Sequence, residues 1–360
     1  MNHLAILTGG GDAPGLNAVI RAVVKTAEND FSAIVTGIRN GFEGLLQEDG
    51  LVPLSSSSVA DIQAKGGTIL GAANRGNPFA RRVIQNGGEM IEDRSGEVVE
   101  RIKTLKLDAL IVVGGDGTLS IARELFNMGV PVVGIPKTID NDVGGTQASF
   151  GFDTALNVAV DAIDRLRTTA ESHQRAMVLE VMGRDAGFIA LHAGLSGGAD
   201  VILIPEIPFR REKIVARIEE RKDLGDHDSL IVISEGARAA GGEQVFSIPG
   251  DTLRVPRLGG ISSEVAEFIQ ADCELETRVT ILGHIQRGGT PTAFDRWLAT
   301  RFGAAAVRLA AAGGLGRMVA YQGDTIIDLD LAEALAVPRR VDLNGDAVAT
   351  ARNLGISLGD

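Results

Sequence analysis

The chain has 360 residues, with 47 acidic and 35 basic side chains, a formal charge of −12. That balance argues against nucleic acid or an anionic membrane as partner, and so does the shortage of aromatic surface, with a single Trp, a single Tyr and 12 Phe. One cysteine, Cys273, excludes an internal disulfide, and 5 His speak against a dedicated Cys/His zinc site.

The start of the chain lacks a basic region and a cleavage site, so no signal peptide is expected there. No apolar run approaches the ~18 residues needed to span a bilayer. The expectation is a cytoplasmic globular protein. In chain order, short Val/Ile/Leu runs predict strands over 4–8, 33–37, 109–113, 130–135, 176–181, 201–204, 229–234, 279–282 and 317–320. Between them, 3.6-residue periodicity predicts helices over 15–28, 119–126, 154–168, 210–221, 262–270 and 293–312, with shorter ones over 331–340 and 346–354. Continuous apolar strands alternating with helices define an α/β fold with parallel sheets covered on both faces. No long linker divides the chain, so two domains that exchange segments are expected.

The 46 glycines cluster at the ends of apolar runs. Gly9-Gly10-Gly11-Asp12-Ala13-Pro14-Gly15 follows the first strand and opens a helix, where unpaired N–H groups and the positive dipole end favour an anion. A capped tight turn is the plainer alternative, but three successive glycines exceed what a turn needs. The same context recurs at Gly114-Gly115-Asp116-Gly117-Thr118. There the glycines would admit a phosphate, Asp116 would hold Mg²⁺, and Thr118 would donate a hydrogen bond. Neither turn carries the P-loop or the GxGxxG pattern.

A third segment, Pro136-Lys137-Thr138-Ile139-Asp140-Asn141-Asp142, follows the run ending at Ile135. Asp140 and Asp142 alternate on an extended chain and are expected to face the same way, one to accept a hydroxyl proton and the other to orient it or serve the cation; an Asp/Asn-rich surface turn is the plainer alternative. Lys137 would neutralise phosphoryl charge. Arg175, Arg184, Arg278, His284 and Arg287 follow, several beside expected strands and glycines. Singly, each reads as a surface arginine or a core histidine; together, in an acidic chain, they read as a sugar-phosphate site. The combination fits Mg²⁺-dependent phosphoryl transfer to a hydroxyl of an already phosphorylated substrate.

From the first strand to about Arg301 the chain resembles the 6-phosphofructokinase family. The resemblance rests on Gly-Gly-Asp-Ala-Pro-Gly-Leu-Asn-Ala, Gly-Gly-Asp-Gly-Thr, Pro-Lys-Thr-Ile-Asp-Asn-Asp, Met-Gly-Arg-Asp-Ala-Gly and Gly-His-Ile-Gln-Arg-Gly-Gly, in that order. NAD kinases and lipid kinases resemble the second block but lack the others. The resemblance implies a donor domain of residues 1–150 with about 289–335, and a sugar-phosphate domain of about 151–288 with 336–360. It implies Asp140 as the base toward the 1-hydroxyl of fructose 6-phosphate, Asp116 on Mg²⁺, and Asp142 supporting both. Thr138 and Arg184 would stabilise the transferring group, while Gly11, Arg75, Gly115, Asp116, Gly117 and Thr118 would surround the donor. Thr138, Ile139, Asp140, Met182, Gly183, Arg184, Glu235, His284, Ile285, Gln286 and Arg287 would hold the sugar phosphate. Arg175 and Arg278 would reach it from a neighbouring subunit, in a homodimer or homotetramer with shared active sites.

The donor turns on two positions. Pyrophosphate users resemble each other in an acidic residue where this chain has Gly117, and in a lysine matching Lys137. Glycine leaves room for the α-phosphate of ATP, and a lysine serves either donor, so ATP is expected. The alternatives are pyrophosphate as donor and, more remotely, a non-catalytic nucleotide or sugar-phosphate sensor.

Overall fold

The structure is a computed structural model that describes residues 1–73, 76–85, 88–248 and 257–360. In chain order its elements are β1 (His3–Thr8), α1 (Leu16–Phe31), β2 (Ile34–Ile38), β3 (Leu51–Leu54), β4 (Arg81–Gln85), β5 (Gly88–Glu92), α2 (Ser95–Leu105), β6 (Ala109–Gly114), α3 (Asp116–Asn127), β7 (Val132–Thr138) and β8 (Phe150–Gly151). There follow α4 (Phe152–His173), β9 (Ala176–Val181), α5 (Phe188–Ser196), β10 (Val201–Leu203), α6 (Arg211–Asp223), β11 (Ser229–Ser234), β12 (Phe246–Ile248), β13 (Arg257–Leu258), α7 (Ile261–Cys273) and β14 (Thr277–Ile281). The chain closes with α8 (Ala293–Ala311), β15 (Arg317–Gln322), β16 (Thr325–Asp330), α9 (Leu331–Ala334) and α10 (Asp346–Asn353).

These elements form two compact units, the first of Met1–Thr154 and Arg287–Arg339, the second of Ala155–Gln286 and Arg340–Asp360. In the first, the sheet order is β16-β15-β7-β6-β1-β2-β3, with β8 also on β7. The central strands β7, β6, β1 and β2 are parallel, and only β16 and β3 run against their neighbours. Side chains alternate across this sheet. Leu4, Ile6, Ile111 and Val113 pack with α1 and α8, and Ala5, Leu7, Leu110 and Val112 with α2 and α3. Burial on both faces is why these strands read as unbroken apolar runs, each large side chain contributing about 1.5–3 kcal/mol. Helices α1 and α8 cross so closely that a Cβ on Gly303 would stand 2.7 Å from the Val19 carbonyl oxygen.

The second unit holds a four-stranded, all-parallel sheet of order β10-β11-β9-β14. Val178, Leu203, Ile231 and Ile233 pack against Ile214 and Ile218 of α6 and Ile261, Val265 and Ile269 of α7. Helix α5 is buried along most of its length on β10 and β11. The α/β class expected from the sequence is the class observed. Among the described residues no helix is long and apolar enough to cross a membrane.

Three expectations change. The strand expected over 130–135 runs to Thr138, so Pro136, Lys137 and Thr138 extend β7. The helix expected over 331–340 ends at Ala334. Pro338 disfavours helical backbone at the residue before it, and the following chain instead bonds back to residues 141 and 142. Elements α2, α5, β3, β16 and the β4–β5 hairpin were not anticipated, being short or lacking a clear period.

Candidate active site

Strands β7, β6 and β1 are adjacent and parallel, so the three polar segments that follow them emerge at one edge of the sheet. Carboxyl ends of parallel strands are where open α/β sheets place ligands. The Gly9 amide donates to the Val113 carbonyl at 2.9 Å, which ties the first glycine turn to β6. Thr118, in the first turn of α3, fills the space between the two turns. A Cβ on Gly9 would meet its Cγ2 at 2.5 Å, and one on Gly114 its Cβ at 2.3 Å. Here glycine is required by close approach. Gly10 and Gly15 are required by conformation, with φ of 73° and 105°.

Lys137 lies beneath the first turn, 4% exposed, and its Nζ donates to the Gly11 carbonyl at 2.5 Å. Burial, aided by the Arg287 charge, lowers its ammonium to about 8 against the opposing pull of Asp12, Asp140 and Asp142. Arg287 donates to the Asp12 carbonyl at 3.2 Å. A Cβ on Gly11 would stand 2.8 Å from its guanidinium. The first turn is therefore backed by two cations, an arrangement suited to an anion.

The loop after β7 is held by its own polar groups. The Asp140 amide donates to Thr138 Oγ1 at 3.1 Å, Asn141 Oδ1 accepts the Ser149 amide at 3.0 Å, and Ser149 Oγ donates to the Thr138 carbonyl at 3.0 Å. Asn141 is left-handed, with φ of 56°. The expected alternation of Asp140 and Asp142 along an extended chain therefore does not hold. The strand ends at Thr138, and a turn through Asn141 sets the two carboxylates, while Ile139 points into the core at 1% exposure.

Beside Gly9, Gly10, Gly117 and Thr118 lies a cavity of about 450 Å³, whose other walls include Phe42, Phe79 and Ile121. Gly117 is the second residue of α3, and a Cβ placed there would have nothing within 4 Å. Arg75 lies outside the described residues. Among the described residues no group of three or more His, Cys, Asp or Glu is placed to hold a metal by itself.

In the second unit, Met182, Gly183 and Arg184 follow β9, and Glu235 follows β11. Gly183, at φ 135°, gives its carbonyl to Ser234 Oγ at 2.7 Å and to the Gly236 amide at 3.1 Å. The Arg184 carbonyl accepts Gln244 Nε2 at 2.9 Å. Gln286 is fully buried, accepting the Met182 amide at 2.7 Å and donating to the Ala155 carbonyl at 3.3 Å. Its side chain thus supports Met182 rather than standing open to a ligand. His284 and Ile285 are exposed. Arg175 and Arg278 both pair with Glu276, the former at 2.6 Å. That counter-ion went unnoticed in the sequence, although it sits two residues before Arg278. Also missed were Phe42 and Phe79, whose apolar character gave no functional signal, and Arg339, whose contacts with residues 141 and 142 no local motif announces.

The fold and this site define an α/β protein that presents paired glycine turns, backed by a buried lysine and an arginine, at the carboxyl edge of a parallel sheet. The chain belongs to the phosphofructokinase family, whose model matches residues 3–310. A Chloroflexus aurantiacus protein named ATP-dependent 6-phosphofructokinase is 51% identical over 359 residues, covering 99% of this chain and 98% of its own. An Amycolatopsis methanolica protein named pyrophosphate–fructose 6-phosphate 1-phosphotransferase is 48% identical over 339 residues, covering 93% of this chain and 94% of its own. The solved structure of phosphofructokinase from Saccharomyces cerevisiae matches with a TM-score of 0.79 at 30% identity, over 99% of this chain. This chain spans 47% of that yeast chain.

Proposed function

We propose that the protein transfers the γ-phosphoryl group of ATP to the 1-hydroxyl of fructose 6-phosphate, giving fructose 1,6-bisphosphate and ADP. The observation that carries ATP, rather than pyrophosphate, is the cavity beside Gly117. Its apolar walls, Phe42, Phe79 and Ile121, match a nucleoside and have no counterpart in pyrophosphate. Gly117 leaves the way to it open. Lys137 does not argue for pyrophosphate, because its ammonium is engaged by the Gly11 carbonyl beneath the turn.

In this reading the donor phosphates lie on the turns at Gly11 and Gly115–Thr118, with Lys137 and Arg287 behind the first turn. Asp140 accepts the hydroxyl proton and Asp142 supports it. Thr138 and Arg184 stabilise charge on the transferring group; Met182, Gly183, Glu235, His284 and Arg287 hold the sugar phosphate. Catalysis is then positioning plus charge stabilisation of an in-line transfer. Magnesium suits the donor set: Asp116 supplies a hard carboxylate oxygen at the first residue of α3. Mg²⁺ is ordinarily held by one or two carboxylates plus substrate phosphates, so no all-protein cage is needed. Bound there, it would neutralise phosphate charge. We read the protein further as a cytoplasmic homodimer or homotetramer, with Arg175 and Arg278 reaching a neighbouring subunit's sugar phosphate.

The test supplies fructose 6-phosphate and Mg²⁺ with ATP or pyrophosphate in parallel and follows fructose 1,6-bisphosphate. Turnover with ATP alone is expected; turnover with pyrophosphate alone would overturn the donor assignment.

A further inference from the structure

The chain after α9 carries no recognisable motif, yet it meets the loops to which chemistry is assigned. In the first unit the Arg339 amide donates to the Asp142 carbonyl at 2.8 Å. Its guanidinium donates to the Asn141 carbonyl at 3.3 Å. The preceding residues are seated on the same loop: a Cβ on Gly144 would stand 2.3 Å from the Ala334 carbonyl oxygen and 2.4 Å from that of Val337. In the second unit the Val341 amide donates to Glu206 Oε1 at 3.0 Å. Both oxygens of Glu206 also accept the Gly187 amide, each at 3.1 Å. Gly187 closes the Met182–Gly187 loop that carries Arg184 and immediately precedes α5.

We infer that the segment Arg339–Val341 positions catalytic loops: Arg339 fixes the turn that aims Asp140, and Glu206, bridging Val341 to Gly187, fixes the loop that carries Arg184. The inference rests on the reading of Asp140 as base and Arg184 as a phosphoryl-stabilising group. Asn141 is the pivot of the first loop: asparagine takes the left-handed conformation when its side chain bonds locally, and the turn is then fixed by what bonds its side chain and its carbonyl. Here those partners are Ser149 on its side chain and Arg339 on its carbonyl. Without the guanidinium the peptide that follows Asn141 loses its side-chain donor, the turn loosens, and the Asp140 carboxylate at its start shifts with it. Displacements of ~1 Å cost up to ~100-fold in rate. Glu206 serves the loop that carries both the sugar-phosphate residues Met182 and Gly183 and the phosphoryl-stabilising Arg184, so its loss raises KM for fructose 6-phosphate and lowers kcat as well.

The experiment compares Arg339→Ala, Arg339→Lys, Glu206→Ala and Glu206→Gln in the full chain with Arg340→Ala, which removes an equal charge from an exposed neighbour. Arg339→Ala is expected to lower kcat ~10-fold, with KM for ATP and fructose 6-phosphate within ~3-fold, and Arg339→Lys to recover part of the loss. Glu206→Ala is expected to raise KM for fructose 6-phosphate ~10-fold and to lower kcat as well, while KM for ATP stays put. Glu206→Gln, which retains one acceptor oxygen, should fall between. Arg340→Ala should match wild type. Arg339→Ala with wild-type kcat, Glu206→Ala with wild-type KM for fructose 6-phosphate, or parallel shifts of kcat, both KM values and Tm would each overturn the inference. A wild-type protein inactive on fructose 6-phosphate would instead sink the functional reading beneath it.

Discussion

Replacing Gly117 by aspartate tests the donor assignment at one atom. The backbone tolerates the change: Gly117 has an ordinary helical conformation, and a Cβ there meets nothing within 4 Å. Its place in the first turn of α3 adds about 0.3–1 kcal/mol of favourable charge–dipole interaction, so the variant should fold at least as well as wild type. The new carboxylate would project into the cavity shared by Gly9, Gly10 and Thr118. At ~4–6 Å from a donor phosphate oxygen, in an effective dielectric of ~20, the repulsion is about 3–4 kcal/mol. Solvent in the open cavity reduces this to about 2–3 kcal/mol, a loss of ~30–150-fold in kcat/KM for ATP. The assay measures kcat/KM for ATP and for pyrophosphate, with Tm recorded alongside. Gly117→Ala is the uncharged control and should lose less than ~3-fold, since a methyl group finds open space. An aspartate variant of normal Tm whose kcat/KM for ATP stays within ~3-fold of wild type would refute the reasoning.

Two further predictions follow from other residues. Asp140→Asn should lower kcat ~10²–10⁴-fold and leave KM for fructose 6-phosphate nearly unchanged, because only proton acceptance is lost; near-normal turnover would remove Asp140 from the role of base. Asp295 is buried at the start of α8, where its carboxylate accepts the Thr154 amide at 2.8 Å. Burial raises it from 3.8 to about 6. Its contribution therefore favours folding below the unfolded value and is lost as pH rises through about 6, amounting to about 3 kcal/mol. Asp295→Asn should accordingly be more stable than wild type above that pH, with the gain vanishing toward pH ~4. Denaturant unfolding at both pH values decides it, and a gain independent of pH would contradict the assignment.

Periodicity and turn chemistry are local properties, and what depends on them could be read from the chain. The apolar runs at 4–8 and 109–113 became β1 and β6 because burial on both faces needs unbroken Val, Ile and Leu. The glycine turns were visible because their requirement is written into consecutive residues. The order β7-β6-β1 was not, and it alone brings Thr118 between two turns distant in the chain and Lys137 under Gly11. The same holds for Gln286 on Met182 and Arg339 on Asn141, where the partner of each polar group is set by packing. Where local pattern and tertiary bonding disagreed, packing prevailed. The helical pattern after Leu331 stops at Ala334, and the irregular chain beyond it supplies Arg339. The turn at Asn141, rather than strand alternation, sets the geometry of the two carboxylates. The sequence by itself determined the long apolar strands and the glycine turns, because their backbone conformation answers to near neighbours. Only the tertiary structure decided which buried donors and acceptors meet, because an unpaired polar group must be satisfied wherever the fold places it.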